Sequence, residues 1–193
     1  MPDFVFQKTT IEGLKVVYPR FFNDERGYFL KSVEQSVFAN HGLPTKFYEE
    51  YESLSCKGTL RGIHFQTEHP QGKLVHVCRG SVWTLALDLR KESATFGKWE
   101  GFELSGDNHK MVYIPAGFGA GFLALEDETI YSCKCTDCYC PEAESGIRWD
   151  DKELAIAWPL SRVDQLTISE KDLCQKSYRE YLEEIGKTIT QMN

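Results

Sequence analysis

From Lys46 to Tyr139 the chain is a succession of short strand-prone runs: KFYEEYESLS, HVCRGSVWTLALDLR, FGKWEGFELS, KMVYIPAGFGAGFLALE and TIYSCKCTDCY. Turn signals such as Arg79-Gly80 and Ser105-Gly106-Asp107-Asn108 cut them apart. Many short strands at near-regular spacing predict a sandwich or barrel rather than βαβ units. Upstream, residues 4 to 18 alternate in short segments, and a turn at Asn23 to Gly27 leads into an aromatic strand. A brief helix is expected at Glu34 to Asn40, stopped by Gly42 and Pro44. Helical periodicity is clear only at the end, from about Glu170 to Ile189, through Leu173, Tyr178, Tyr181, Leu182 and Ile185. The expectation is one all-β domain over residues 1–193, with a core of about 13–172 and a C-terminal helix of about 173–190.

Charge and cysteine usage narrow the function. A net charge of -7 disfavours non-specific nucleic-acid binding, which needs a basic surface to release counterions, but leaves room for a small anion held by a few cations. No apolar run approaches the roughly 20 residues that span a bilayer. The start, MPDFVFQKTT, lacks a charged region followed by an apolar one, so a cytoplasmic protein is expected. Seven cysteines are an odd number for a disulfide framework, and reduced thiols are the simpler reading. CKCTDCYC at 133–140 contains a CxxC without the second ligand pair that a zinc site of this type requires, so no metal is expected there.

The densest chemistry lies in TLRGIHFQTEHPQGK, residues 59–73, where Arg61, His64, His69 and Lys73 crowd between Gly62 and Gly72. His69 and His76 are expected to have no catalytic part. Taken alone, Lys73 reads equally as a solvated turn residue, Arg26 as an exposed hairpin residue and Asp172 as a helix cap.

A resemblance joins these pieces. DERGYF (24–29), LRGIHFQ (60–66), PQGKLVHVCRGSVW (70–83), ATFGKWEGFELS (94–105), IPAGFGAGF (114–122), GIRWDD (146–151) and SEKD (169–172) stand in the order and spacing of the dTDP-4-dehydrorhamnose 3,5-epimerases, from about Gly13 to Asp172. The resemblance implies a cupin jelly-roll β-barrel and a homodimer in which an N-terminal strand of one subunit completes its partner's pocket. It also implies a nucleoside-diphosphate-4-keto-6-deoxyhexose substrate, in deoxysugar or O-antigen biosynthesis, and no cofactor. The C4 carbonyl acidifies the hydrogens on C3 and C5, so epimerisation needs a base, an enolate stabiliser and an acid on the far face. By resemblance His64 is the base, Asp172 orients it through the other ring nitrogen, and Lys73 sits by the developing oxyanion. Arg61 and Arg26 hold the sugar and diphosphate, and Phe29 of DERGYF and Tyr139 complete the binding set.

Three departures matter. Cys133 stands where the family usually has its proposed acid tyrosine. Either the thiol takes over, or one stereocentre lacks a side-chain acid; the expectation is inversion at one carbon only, C3 rather than C5, with the full 3,5-epimerase as the alternative. Lys31 replaces a usual Glu, and Glu49 and Tyr51 replace a usual Gln and Asn. If Lys31 and Glu49 face the base, cytosine suits them better than thymine, so CDP stands beside dTDP; a plain salt bridge between the two is the competing reading. Ala120 occupies a position where metal-dependent cupins carry a ligand His, which makes a metal dioxygenase a poor rival. A cupin 3,4-ketoisomerase fits the LRGIHFQ and GIRWDD motifs less well. A catalytically inactive nucleotide-sugar binding protein is the rival of another class, opposed by the joint presence of His64, Lys73 and Asp172.

Overall fold

The structure is a computed structural model describing residues 3–192. In chain order its strands are β1 (Val5–Lys8), β2 (Lys15–Tyr18), β3 (Arg20–Asp24), β4 (Gly27–Lys31), β5 (Glu49–Ser55), β6 (Thr59–Gln66) and β7 (Lys73–Arg79). There follow β8 (Ser81–Asp88), β9 (Trp99–Ser105), β10 (Met111–Ile114), β11 (Phe118–Ala124), β12 (Thr129–Cys135), β13 (Glu144–Gly146) and β14 (Thr167–Ile168). Helix α1 (Gln35–Asn40) precedes β5, and α2 (Glu170–Leu173) and α3 (Tyr178–Met192) close the chain.

Two sheets face one another. One runs β1-β2-β10-β7-β12-β5 and the other β13-β6-β11-β8-β9, while β3 and β4 form a separate hairpin. From β5 to β8, and again from β9 to β12, each successive strand switches sheets. Pairing within both sheets is antiparallel apart from β14, which runs parallel to β6. This is the cupin jelly roll that the resemblance implies.

Burial on both faces explains why several strands are almost continuously apolar rather than alternating. Along β8, Val82 and Ala86 enter the core between the sheets, whereas Leu85 and Leu87 join an outer core with Leu60, Ile63, Phe65 and Trp158. Each such aliphatic side chain contributes about 1.5–3 kcal/mol when fully buried. Along β7, Val75 and Val77 face inward and Leu74 outward, where α1 covers it with Phe38. Strand period 2 therefore also turns Lys73 and, on β12, Tyr131, Cys133 and Cys135 toward the interior.

The C-terminal helix differs from expectation. Instead of one helix over about 173–190, α2 ends at Leu173 and α3 begins at Tyr178. The interruption lets Lys176 bridge to Ile147. Ser177 then restarts the helix as a capping box with Glu180: the Glu180 N–H donates to Ser177 Oγ at 3.2 Å, and the Ser177 N–H donates to the Glu180 carboxylate at 2.7 Å. Tyr181 and Ile185 of α3 pack onto the outer core, a role the apolar periodicity already announces.

Candidate active site

A cavity of about 390 Å³ opens between the sheets, lined by Glu49, Tyr51, His64, Gln71, Lys73, Tyr139 and Glu144 among others. An adjoining compartment of about 240 Å³ shares Tyr51, His64 and Lys73 and adds Arg61 and Tyr131. His64 and Arg61 come from one sheet; Tyr51, Lys73 and Tyr131 come from the other. A flat ligand lying between the sheets would thus meet His64 on one face and Tyr51 with Lys73 on the opposite face.

Arg61 and His64 are three residues apart, a spacing that in a regular strand points side chains to opposite faces. A β-bulge resolves this. Ala120 pairs with His64 and Phe122 with Arg61, so two steps on β11 oppose three on β6, and both side chains reach the cavity. Gly62, inside the bulge, has φ of +120°, and a Cβ there would lie 2.5 Å from Gly121 Cα and 2.8 Å from Ala120 O. Gly62→Ala should therefore cost on the order of 1–3 kcal/mol through backbone strain, with the clash in addition, and misaim His64. Thermal unfolding and turnover of the variant check this, and a variant matching wild type in both would refute the bulge argument.

Asp172 reaches His64 from 108 positions further along the chain. Parallel pairing of Thr167 and Ile168 with Thr59 and Leu60 seats α2 beneath β6. Ser169 caps α2, accepting from the Asp172 N–H at 3.1 Å, which leaves the Asp172 carboxylate free of capping duty. Its Oδ1 lies 2.5 Å from His64 Nε2, and its Oδ2 accepts from the Gly62 N–H at 3.3 Å. Burial by itself raises the Asp172 carboxyl, which is 3% exposed, yet the bonds from His64, Gly62 and Ser169 outweigh it and hold the group below the usual carboxylate range. An ionised carboxylate only accepts, so the His64 proton sits on Nε2 and Nδ1 carries the free lone pair.

Lys73 starts β7 between Cys135 and Ile114 and has no ion-pair partner among the described residues. Glu49 lines the cavity and accepts from the Tyr139 N–H at 2.9 Å. Tyr139 donates its hydroxyl at 2.5 Å to Glu144, which Lys171 also contacts at 2.6 Å. Glu144 and Gln71 are cavity residues that sequence reasoning misses; their only signal is adjacency to GIRWDD and PQGK. Gln66, of LRGIHFQ, also lines the cavity and clamps the two neighbouring loops, donating to His69 O at 2.7 Å and accepting from the Cys140 N–H at 2.9 Å.

Cys133 departs from expectation. It is 0% exposed, with its sulfur 3.7 Å from that of Cys135, and belongs to the inner core rather than to the cavity lining. The short side chain stops below the surface, and Tyr51, directly opposite on β5, lines the cavity in its place. Arg26, Phe29 and Lys31 also stand apart from the cavity. They lie on the β3–β4 hairpin, where Arg26 pairs with Asp24 at 2.6 Å, Phe29 is exposed and Lys31 pairs with Glu34 at 3.1 Å, so Lys31 does not meet Glu49 within this chain.

Residues 8–180 match the family model for dTDP-4-dehydrorhamnose 3,5-epimerase. The chain is 49% identical over 180 residues to the dTDP-4-dehydrorhamnose 3,5-epimerase of Methanothermobacter thermautotrophicus, covering 93% of this chain and 97% of that protein. A dTDP-4-dehydrorhamnose 3-epimerase of Streptomyces niveus is 38% identical over 151 residues, covering 77% and 73%. Among solved structures, the dTDP-6-deoxy-D-glucose-3,5-epimerase of Legionella pneumophila in complex with dTDP-4-keto-L-rhamnose superposes with a TM-score of 0.86 at 40% identity, covering 90% of this chain and 92% of that one.

Proposed function

The chain belongs to the dTDP-4-dehydrorhamnose 3,5-epimerase family, and from that premise we propose that it epimerises a dTDP-linked 4-keto-6-deoxyhexose by proton transfer next to the C4 ketone, in deoxysugar biosynthesis. The observation that carries this reading is the His64–Asp172 pair on one wall of the cavity with Lys73 on the other. Oriented by Asp172, His64 presents the Nδ1 lone pair to a C–H bond. As the proton leaves, charge gathers on the C4 oxygen, where the Lys73 ammonium stabilises the transition state more than the ketone. The guanidinium of Arg61 suits a sugar hydroxyl or phosphate oxygen. No redox change occurs, so no cofactor is required.

The hairpin completes the picture as a proposal about assembly. Tyr28 and Phe29 are exposed on it beside Arg26, and in a homodimer they would be handed to the partner's cavity. A CDP-linked substrate is the narrower expectation; of its two supporting residues only Glu49 lines the cavity of this chain.

Burial of Cys133 beneath the cavity lining favours a second reading, inversion at C3 alone. The experiment is incubation with dTDP- and CDP-linked 4-keto-6-deoxyglucose in heavy water, with NMR locating deuterium and configuration. Deuterium and inversion at both carbons support the 3,5-epimerase, and at C3 alone the single-carbon reading. Exchange at neither, with the nucleotide still bound, would leave a binding protein and end the proposal.

A further inference from the structure

Three phenols line the two compartments, and they are not equivalent. Tyr139 gives its hydroxyl to Glu144 at 2.5 Å. Tyr131 is 5% exposed and stacks on Phe122 at 4.3 Å between ring centroids. Tyr51 alone of the three lines both compartments, on the sheet that faces His64, with Cys133 directly opposite it on β12.

From this geometry we infer that Tyr51 is the acid that returns a proton to the face of the substrate opposite His64, and that Cys133 is its positioning partner. The assignment rests on the epimerase reading. By the resemblance, Tyr51 and Cys133 stand where the family usually has an Asn and its proposed acid tyrosine, and the β5–β12 register places them directly opposite one another. A long side chain on one strand with a short one on its neighbour fills the space that the reverse arrangement would fill, so a phenol on β5 can serve the same cavity wall as one on β12.

The step balances without a co-reactant. His64 Nδ1 takes the proton from carbon, and the C–H electron pair becomes the enolate held at oxygen by Lys73. The Tyr51 O–H bond then breaks, its proton forming a new C–H bond on the opposite face while the electron pair stays on the phenolate oxygen. Cys133 S–H can donate to that oxygen until His64 and Tyr51 exchange protons with water. The protein packed around its ring, followed by Cys133, pushes the Tyr51 phenol above its ordinary value even though the residue as a whole is 46% exposed, so it keeps its proton until a strong carbon base stands before it.

The test compares wild type with Tyr51→Phe, Tyr131→Phe and Cys133→Ala in heavy water. In Tyr51→Phe, inversion should fall at least about 100-fold while deuterium still enters with retained configuration and dTDP titration shows unchanged affinity. Replacing Tyr51 by a fluorinated tyrosine, a more acidic phenol of the same shape, should bring the alkaline limb of the inversion rate to lower pH. Inversion at wild-type rate in Tyr51→Phe, loss of deuterium entry along with inversion, or an unmoved alkaline limb overturns the assignment. Loss of inversion in Tyr131→Phe with Tyr51→Phe unaffected would transfer the role to Tyr131. Absence of exchange in wild type would refute the epimerase reading itself.

Discussion

Replacing His64 by Asn should lower kcat by about 1,000-fold or more while leaving dTDP affinity within a few-fold of wild type. Asn is close in size and can still donate to Asp172, so the pocket keeps its shape. What disappears is the basic nitrogen, and a positioned base accounts for roughly 10²–10⁴ in rate. His64 is half-buried at the meeting of the two compartments, so no water-filled substitute is placed at the same spot. Both stereochemical events depend on that first proton removal, so deuterium entry should fall in parallel with inversion. This separates His64→Asn from Tyr51→Phe, in which entry survives. Turnover above a tenth of wild type in His64→Asn would show that another group abstracts the proton.

Asp172→Asn should be nearly as damaging, about 100-fold or more in kcat with KM little changed, because it acts on the proton of another residue. The amide can donate to His64 Nε2, which favours the tautomer with hydrogen on Nδ1 and removes the lone pair from the cavity. The carboxylate also compensates the positive charge that His64 acquires in the transition state, and an amide cannot. A stability signature accompanies the kinetic one. The folded-state carboxyl lies below the usual range, so its contribution to stability is complete above the unfolded-state value and is lost as pH falls through the folded-state value. Asp172→Asn should accordingly flatten the acid side of the stability profile in thermal melts between pH 5 and about pH 2. An unchanged kcat, or an acid limb identical to that of wild type, would mean that the contact with His64 is incidental.

Period and turn chemistry make much of this protein readable from its residues alone. The strand runs from Lys46 to Tyr139, the hairpin turn at Asn23–Gly27 and the α1 segment stand close to where the residue pattern puts them. The motifs carry the family, and with it the candidates His64, Lys73 and Asp172, because all three sit in short distinctive stretches. The break at Cys174–Ser177 is also encoded, in the Ser177–Glu180 capping box, but apolar periodicity on both sides masks it.

Other features depend on contacts between residues that are far apart in the chain. Only the parallel seating of β14 beside β6 turns Asp172 from a plausible helix cap into a partner of His64. Only the bulge at Gly62 brings Arg61 and His64 to the same face. The clearest case is Cys133, whose position in the sequence makes it a candidate acid. Cross-strand register with Tyr51 decides its place instead, since the longer side chain covers the shorter one and a thiol beneath a phenol cannot touch a ligand. The residue pattern sufficed for the jelly roll and for the candidates Arg61, His64 and Lys73, because periodicity and local motifs are properties of neighbouring residues. Tertiary structure alone decided which groups share the cavity wall, because register and burial arise where distant strands meet.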